Sequence, residues 1–233
     1  MRTSDRGIVA LLSHEGVVPG PYFDSVGVAT YGVGHTAAAG DPVPARMPTG
    51  MPDDLDAELV RVFEVFRKDL AKYERQVELA IKVPISQAQF DAAVSFHFNT
   101  GAIAKASWVK KLNAGDVIGA GAAIMNWRKP KDIIPRRKAE QALFRSGEYP
   151  SAHITVWQVS DDCRVIWKPA RSLTPSEALG LMRGPIRHED PQEATAARIS
   201  PKAGVAAAIG VVMAGIAAKW DAVVNWFTQL IGG

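Results

Sequence analysis

Glu15, Asp24 and Thr30 are the residues from which chemistry can start: eight residues separate the two carboxylates, and five separate Asp24 from the hydroxyl. A carboxyl that keeps its proton can give it to a leaving oxygen. One that stays ionised can activate water or balance positive charge, and glycoside cleavage requires this pair of roles. Burial at a packed helix end favours the protonated form of Glu15, whereas Asp24 on an open hairpin stays wet and ionised. Two acids at this spacing are also common as plain surface residues, so the decision rests on what surrounds them.

The elements that must position them are legible. Residues 4–14 read as a short helix, capped by Ser4 or Asp5, with Ile8, Leu11 and Leu12 on one face and Gly16 as its stop. Residues 20–36 read as a hairpin turning near Ser25–Gly27, with Asp24 on the first strand and Thr30 on the second. Pairing would bring both to one edge, opposite the helix end. Residues 37–52 read as loop. Leu55, Leu59, Val62, Phe63, Phe66, Leu70 and Tyr73 mark a long helix over 53–80, which Pro84 ends or interrupts. Ser86-Gln-Ala-Gln89 is a capping box, followed by Phe90, Val94 and Phe98 on one face. Further helices fit 106–113, 116–127 and 136–145.

The pattern shifts after Tyr149-Pro150. His153–Val159 and Cys163–Trp167 read as a second hairpin, with Trp157 and Trp167 expected as core residues rather than as exposed rings that stack on sugars, and Cys163 as an inert strand residue. Thr174-Pro-Ser-Glu177 caps a short helix over 178–182. The expected fold is α+β and mostly helical: a body over 1–150 with a small N-terminal hairpin, a hairpin-plus-helix extension over 151–183, a linker over 184–202, and an apolar helical tail over 203–233.

Composition narrows the classes. With 47% hydrophobic and 22% charged residues the 233-residue chain is globular, and a single cysteine excludes a disulfide scaffold or a cysteine-zinc cluster. The net charge of +3 suits a polyanionic partner without choosing one. Lys105, Lys110, Lys111, Arg128, Lys129, Lys131, Arg136, Arg137 and Lys138 face only Asp116 and Asp132, and read as a solvated helix surface. No base-reading motif accompanies them, so nucleic acid is not an expected partner. Ile8–Leu12 is too short for a signal-peptide core, and cytoplasmic synthesis is expected. Residues 203–218 carry no charge, are flanked by Lys202 and Lys219, and place Ala206, Gly210, Ala214 and Ala218 four apart. Sixteen residues are short of the about 20 that span a bilayer. A membrane-active tail, with contact through 203–231, is favoured over a helical hairpin packed on the body.

Four ordered blocks carry a resemblance. His14-Glu15-Gly16, Pro21-Tyr-Phe-Asp24 and Gly27-Val-Ala-Thr-Tyr-Gly-Val-Gly-His-Thr36 form the first. The others are Gln87-Ala-Gln-Phe-Asp-Ala-Ala-Val-Ser-Phe-His-Phe-Asn-Thr-Gly101, Lys111-Leu-Asn-Ala-Gly-Asp116 and Pro135-Arg-Arg-Lys-Ala-Glu-Gln-Ala-Leu-Phe-Arg-Ser-Gly147. Together they resemble the phage-type lysozymes, the endolysins of glycoside hydrolase family 24. The resemblance implies a lysozyme-like body and a muramidase that cleaves peptidoglycan between N-acetylmuramic acid and N-acetylglucosamine, with no cofactor and no metal. It implies Glu15 as proton donor, and Asp24 and Thr30 as holders of the attacking water, with inversion at the anomeric carbon. His35 would brace the hairpin and line the cleft, Phe98 and Asn99 would floor the sugar site, and Ser107 would contact sugar. Arg136 would pair with Glu15 and favour its ionised form, against the effect of burial. A holin or similar pore would give access to the wall.

Two departures stand out. Ile134-Pro135 replaces the family's Gly-Leu, and the proline is expected to alter the approach of Arg136 to Glu15. His97 replaces a smaller residue, and is expected either to face the cleft or, more simply, to be an exposed helix histidine. The basic cluster gains a second reading, attraction to acidic wall polymers.

Overall fold

Ser4 opens the first helix, α1 (Asp5–Glu15), its hydroxyl accepting from the Gly7 amide at 3.1 Å. Gly16 closes it at φ 68°, in the left-handed region that glycine enters freely, and its amide donates to the Leu12 carbonyl at 2.9 Å. The helix therefore ends at Glu15. This computed structural model describes residues 1–150 and 153–184. Met1–Met182 form one unit, and a second unit begins at Arg183.

The chain then enters a three-stranded antiparallel sheet in the order β1 (Val18–Phe23), β2 (Ala29–Gly32), β3 (His35–Thr36). Tyr22 pairs with Thr30, and Thr30 with Thr36. The register breaks between Val18 and Tyr22, where Pro19 and Pro21 cannot donate to a ladder. Asp24 lies one residue beyond β1, in the turn rather than on the strand.

The helical body follows. Asp54 caps the long α2 (Leu55–Ala80), which buries Leu59, Val62, Phe63, Phe66, Leu70 and Val77. The Ser86–Gln89 capping box is formed reciprocally and opens α3 (Gln87–Thr100). Residues Phe90 to His97 of α3 are all buried, so this helix is central rather than amphipathic. Around it lie α4 (Ser107–Asn113), α5 (Val117–Ala123) and α6 (Ile134–Ser146). Fully buried Trp108 meets Phe96 and Phe144 edge-on, with ring centroids 5.3 and 5.7 Å apart. Pro135 sits in the first turn of α6, where its missing N–H has no partner to lose.

Residues beyond 150 return to the N-terminal sheet. Strands β4 (Ile154–Val159) and β5 (Val165–Leu173) form an antiparallel hairpin, and α7 (Pro175–Arg183) follows. Ile154, Val156 and Leu173 join the same hydrophobic core as the body. The hairpin also bonds to β1 and the residue before it: Val17 donates to the Thr155 carbonyl at 2.9 Å, Trp157 to the Val17 carbonyl at 2.8 Å, and Phe23 to the Cys163 carbonyl at 2.9 Å. Cys163 lies in the connecting turn at φ 59°, not in a strand. The apolar tail expected over 203–233 and the linker before it lie outside the described residues. Among the described residues, no helix is long and apolar enough to cross a membrane.

Candidate active site

Because α1 stops at Glu15, that carboxylate projects from a helix end toward α6. Arg136 donates from Nη1 to Glu15 Oε1 at 2.6 Å, from Nε to Glu140 Oε1 at 3.0 Å, and from Nη2 to the Ser95 carbonyl at 3.0 Å. Ser95 Oγ donates to the same Glu140 oxygen at 2.7 Å. Arg137 forms an ion pair with Glu140 and donates to Asn99 Oδ1 at 2.6 Å. Arg136, Arg137 and Glu140 are buried, so these charges depend on one another. Burial opposes the charge on Arg136, but Glu15 and Glu140 together hold its pKa above the ordinary arginine value. Burial pushes Glu140 up, against the pull of Arg136 and Arg137. Burial, then the neighbouring Arg136, brings His14 down to about 4, so the histidine beside Glu15 is neutral. The proline at 135 leaves the approach of Arg136 to Glu15 intact.

Asp24 is held differently. Its Oδ1 accepts from the backbone amides of Val26 at 3.0 Å and Val28 at 2.9 Å, both across an exposed turn. Thr30 is buried and donates from Oγ1 to the Val28 carbonyl at 3.0 Å. Tyr22 links the two sides. Burial first, and then the charges of Glu15 and Asp24, push its phenol well above the usual tyrosine range. Both carboxylates therefore act on one ring. Thr30 stands directly opposite Tyr22 in the β1–β2 ladder, and opposed residues share a sheet face.

The remaining sequence candidates are spread around this centre. His35 is buried, with Nδ1 2.6 Å from Asp69 Oδ2 and Nε2 2.8 Å from the Pro42 carbonyl, a brace between β3, α2 and the following loop. Phe98 is half-buried against Tyr73, with centroids 4.6 Å apart, and against Phe66 at 5.8 Å. Asn99 is exposed and receives Arg137. Ser107 is exposed at the start of α4 and has no bond to the Glu15 cluster.

Other expectations are corrected. His97 is neither exposed nor cleft-facing: it is 3% exposed, bonded through Nε2 to Gln76 and packed edge-on to Tyr73. Burial lowers its pKa to about 4. Arg136 and Arg137 are buried, so only the other seven members of the basic cluster are solvated. Trp157 and Trp167 are not core: Trp167 is 77% exposed and Trp157 half-buried, their rings T-shaped at 5.4 Å. Asp24 and Cys163 occupy turns.

Tyr22, Arg137, Glu140 and Ser95 were not singled out from sequence. Glu140 lies four residues after Arg136, a spacing that puts both on one helix face and could have flagged the pair. Among the described residues no group of three or more His, Cys, Asp or Glu side chains could hold a metal ion.

The phage lysozyme family model matches residues 12–140, a span that holds Glu15, Asp24, Thr30 and Arg136. The endolysin of Acyrthosiphon pisum secondary endosymbiont phage 1 is 34% identical over 157 residues, covering 63% of this chain and 99% of that protein. The endolysin of Salmonella phage P22 is 35% identical over 153 residues, with the same coverage. The solved endolysin from Escherichia coli O157:H7 phage FAHEc1 superposes with a TM-score of 0.56 at 29% identity, covering 65% of this chain and 98% of that one. With the carboxylates, their arginine and their hairpin all inside the matched span, the chain belongs to the phage lysozyme family.

Proposed function

We propose that this lysozyme-type glycoside hydrolase cleaves the β-1,4 bond between N-acetylmuramic acid and N-acetylglucosamine by direct displacement, with Glu15 as acid and a water held by Asp24 and Thr30. The observation that carries the reading is the complementary use of oxygens. Arg136 occupies Glu15 Oε1 and leaves Oε2 for a proton. Two amides occupy Asp24 Oδ1 and leave Oδ2 to accept. The Thr30 hydroxyl spends its hydrogen on Val28 and keeps its lone pairs. A water that gives both hydrogens to Asp24 and Thr30 turns its own lone pair toward the sugar.

The step then balances. Glu15 passes its proton to the glycosidic oxygen as the bond to the anomeric carbon breaks. Water attacks that carbon from the opposite side and loses a proton to Asp24, so configuration inverts. Arg136 compensates the negative charge left on Glu15.

The chain is a phage endolysin acting on peptidoglycan, the wall reached after release from the cytoplasm. We infer a holin-type pore as the route, and membrane contact through 203–231. Comparing membrane fractionation and lysis of the full chain with a chain ending near Arg198 tests the tail, since equal behaviour removes it.

The test of the chemistry is Glu15→Gln, which keeps shape and removes the donated proton. Wild type should release new reducing ends from purified Gram-negative peptidoglycan, and the variant should lose about a hundredfold or more. Equal rates would dismiss Glu15 as the acid. Detection of the α-anomer as first product, by proton NMR, would support inversion, and the β-anomer would exclude it.

A further inference from the structure

Trp167 exposes 77% of a large indole, and packing within the fold gives it no reason to do so. Its place in the ladder is unusual. Val156 pairs with Arg171, Trp157 with Pro169 and Gln158 with Ile166, so the register breaks on both sides of Trp157. Trp167 and Lys168 are the residues left over between Ile166 and Pro169. Bulges of this kind bend a strand and re-aim its side chains, and they favour the neighbourhood of active sites. Proline at 169 suits the arrangement, because a bulge asks for no ladder donor there. The result is a T-shaped pair, Trp157 and Trp167, with centroids 5.4 Å apart.

The pair sits against the catalytic helix end. A side chain added at Gly16 would place its Cβ 2.7 Å from Trp157 Nε1. Gly16 directly follows Glu15, and consecutive Cα atoms are about 3.8 Å apart. The Trp157 and Val17 backbones are bonded at 2.8 Å, which fixes this proximity. Trp157 and Trp167 lie beyond the 12–140 span matched to the family.

We propose that the Trp157–Trp167 pair is a glycan subsite that extends the cleft at Glu15 along the peptidoglycan strand by stacking on a pyranose ring. The proposal rests on the muramidase reading. A β-linked hexosamine presents one face of axial C–H bonds, whose weak positive character meets the negative face of an indole. Trp157 supplies a half-buried wall and Trp167 an open platform, and exposed Lys168 adds a cation for carboxylates carried by the strand. A polymer threaded past Glu15 would reach this pair without a change in the body.

The test separates binding from turnover, using the full chain. In a Glu15→Gln background, Trp167→Ala should weaken retention on intact sacculi by about three- to tenfold, the range expected for one aromatic contact, and Trp167→Phe should restore most of it. In the active enzyme the same substitution should raise KM for long glycan strands more than for a short muropeptide. Unchanged thermal unfolding of Trp167→Ala is expected from its exposure, and keeps a loss from being a folding defect. Equal sacculus retention with and without Trp167→Ala in the Glu15→Gln background would overturn the subsite. So would loss of binding to anionic phospholipid vesicles with sacculus retention intact, which would make the pair a membrane patch. Turnover by Glu15→Gln reports on the catalytic reading and retention reports on the subsite, so each can fail alone.

Discussion

The two carboxylates of the cleft are held by opposite means. Glu15 ends a helix and meets a buried chain of charges that runs through Arg136 and Glu140 to Arg137 and Asn99. Asp24 sits in an exposed turn and is held by two amides within four residues of itself. The first arrangement joins α1, α3 and α6, so function and stability are entangled there. The second is local and separable. The acid proposed to gain and lose a proton is the one tied to the interior, while the residue proposed to position water is held by a local turn.

The sharpest attempt to break this contrast is Arg136→Met. It strips a buried guanidinium from Glu15, Glu140 and the Ser95 carbonyl, and should destabilise by about 3–5 kcal/mol in chemical denaturation. Adding Glu15→Gln should recover part of that, because one of the abandoned charges goes with it. A loss under about 1 kcal/mol would mean that the network is not structural.

Asp24→Asn probes the other side. The amide oxygen can still accept from Val26 and Val28, so stability should stay within about 0.5 kcal/mol. Hydrolysis should fall by about a hundredfold, since the neutral side chain no longer takes the water proton. If the variant unfolds instead, the turn is not the separable unit described here.

A smaller effect sharpens the comparison by pH. His14 and His97 have folded pKa values of about 4, below the ordinary histidine value of 6.5. The unfolded chain therefore binds more protons between those values. Their contribution is full above pH 6.5 and is lost as pH falls toward 4, with a slope of about 1.4 kcal/mol per pH unit for each fully titrating histidine. His97→Gln should flatten part of that slope in denaturation curves taken from pH 7 to pH 4. An unchanged slope would show that His97 is not the buried neutral group seen here. His35 runs the other way: Asp69 and Pro42 outweigh its burial and raise its pKa, so its contribution is complete below 6.5 and fades as pH rises through the folded value.

What could be read from sequence was what is local. Ser4, Gly16 and the Ser86–Gln89 box mark helix ends through bonds to residues three or four away, and each falls where the pattern predicts. The pairing of Arg136 with Glu15 spans 121 positions, and only resemblance to a family pointed to it. Burial of Arg137 and Glu140 was not legible, because a run of charges on a helix reads as solvated until the packing of α3 against α6 is known. His97 was misread for the same reason: its partner Gln76 belongs to another helix. The tryptophans were misplaced because a pair of large aromatics in a hairpin is usually core, and the breaks around Trp157 come from how β5 pairs, not from either strand alone.

The bonds that tie Val17 to Thr155 and Phe23 to Cys163 have a consequence for any shortened form of this enzyme. β1 is the outermost strand of its sheet, and the second hairpin shields its flank at both ends. A chain cut after Tyr149 would keep Glu15, Asp24, Thr30 and Arg136, yet it would lay bare that flank together with the apolar surface that Ile154, Val156 and Leu173 cover. Pro19 and Pro21 blunt the middle of the strand but not its ends. Such a trimmed lysozyme would gain a sticky edge open to strand addition from its own copies, and its shelf life in solution would be set by self-association rather than by unfolding.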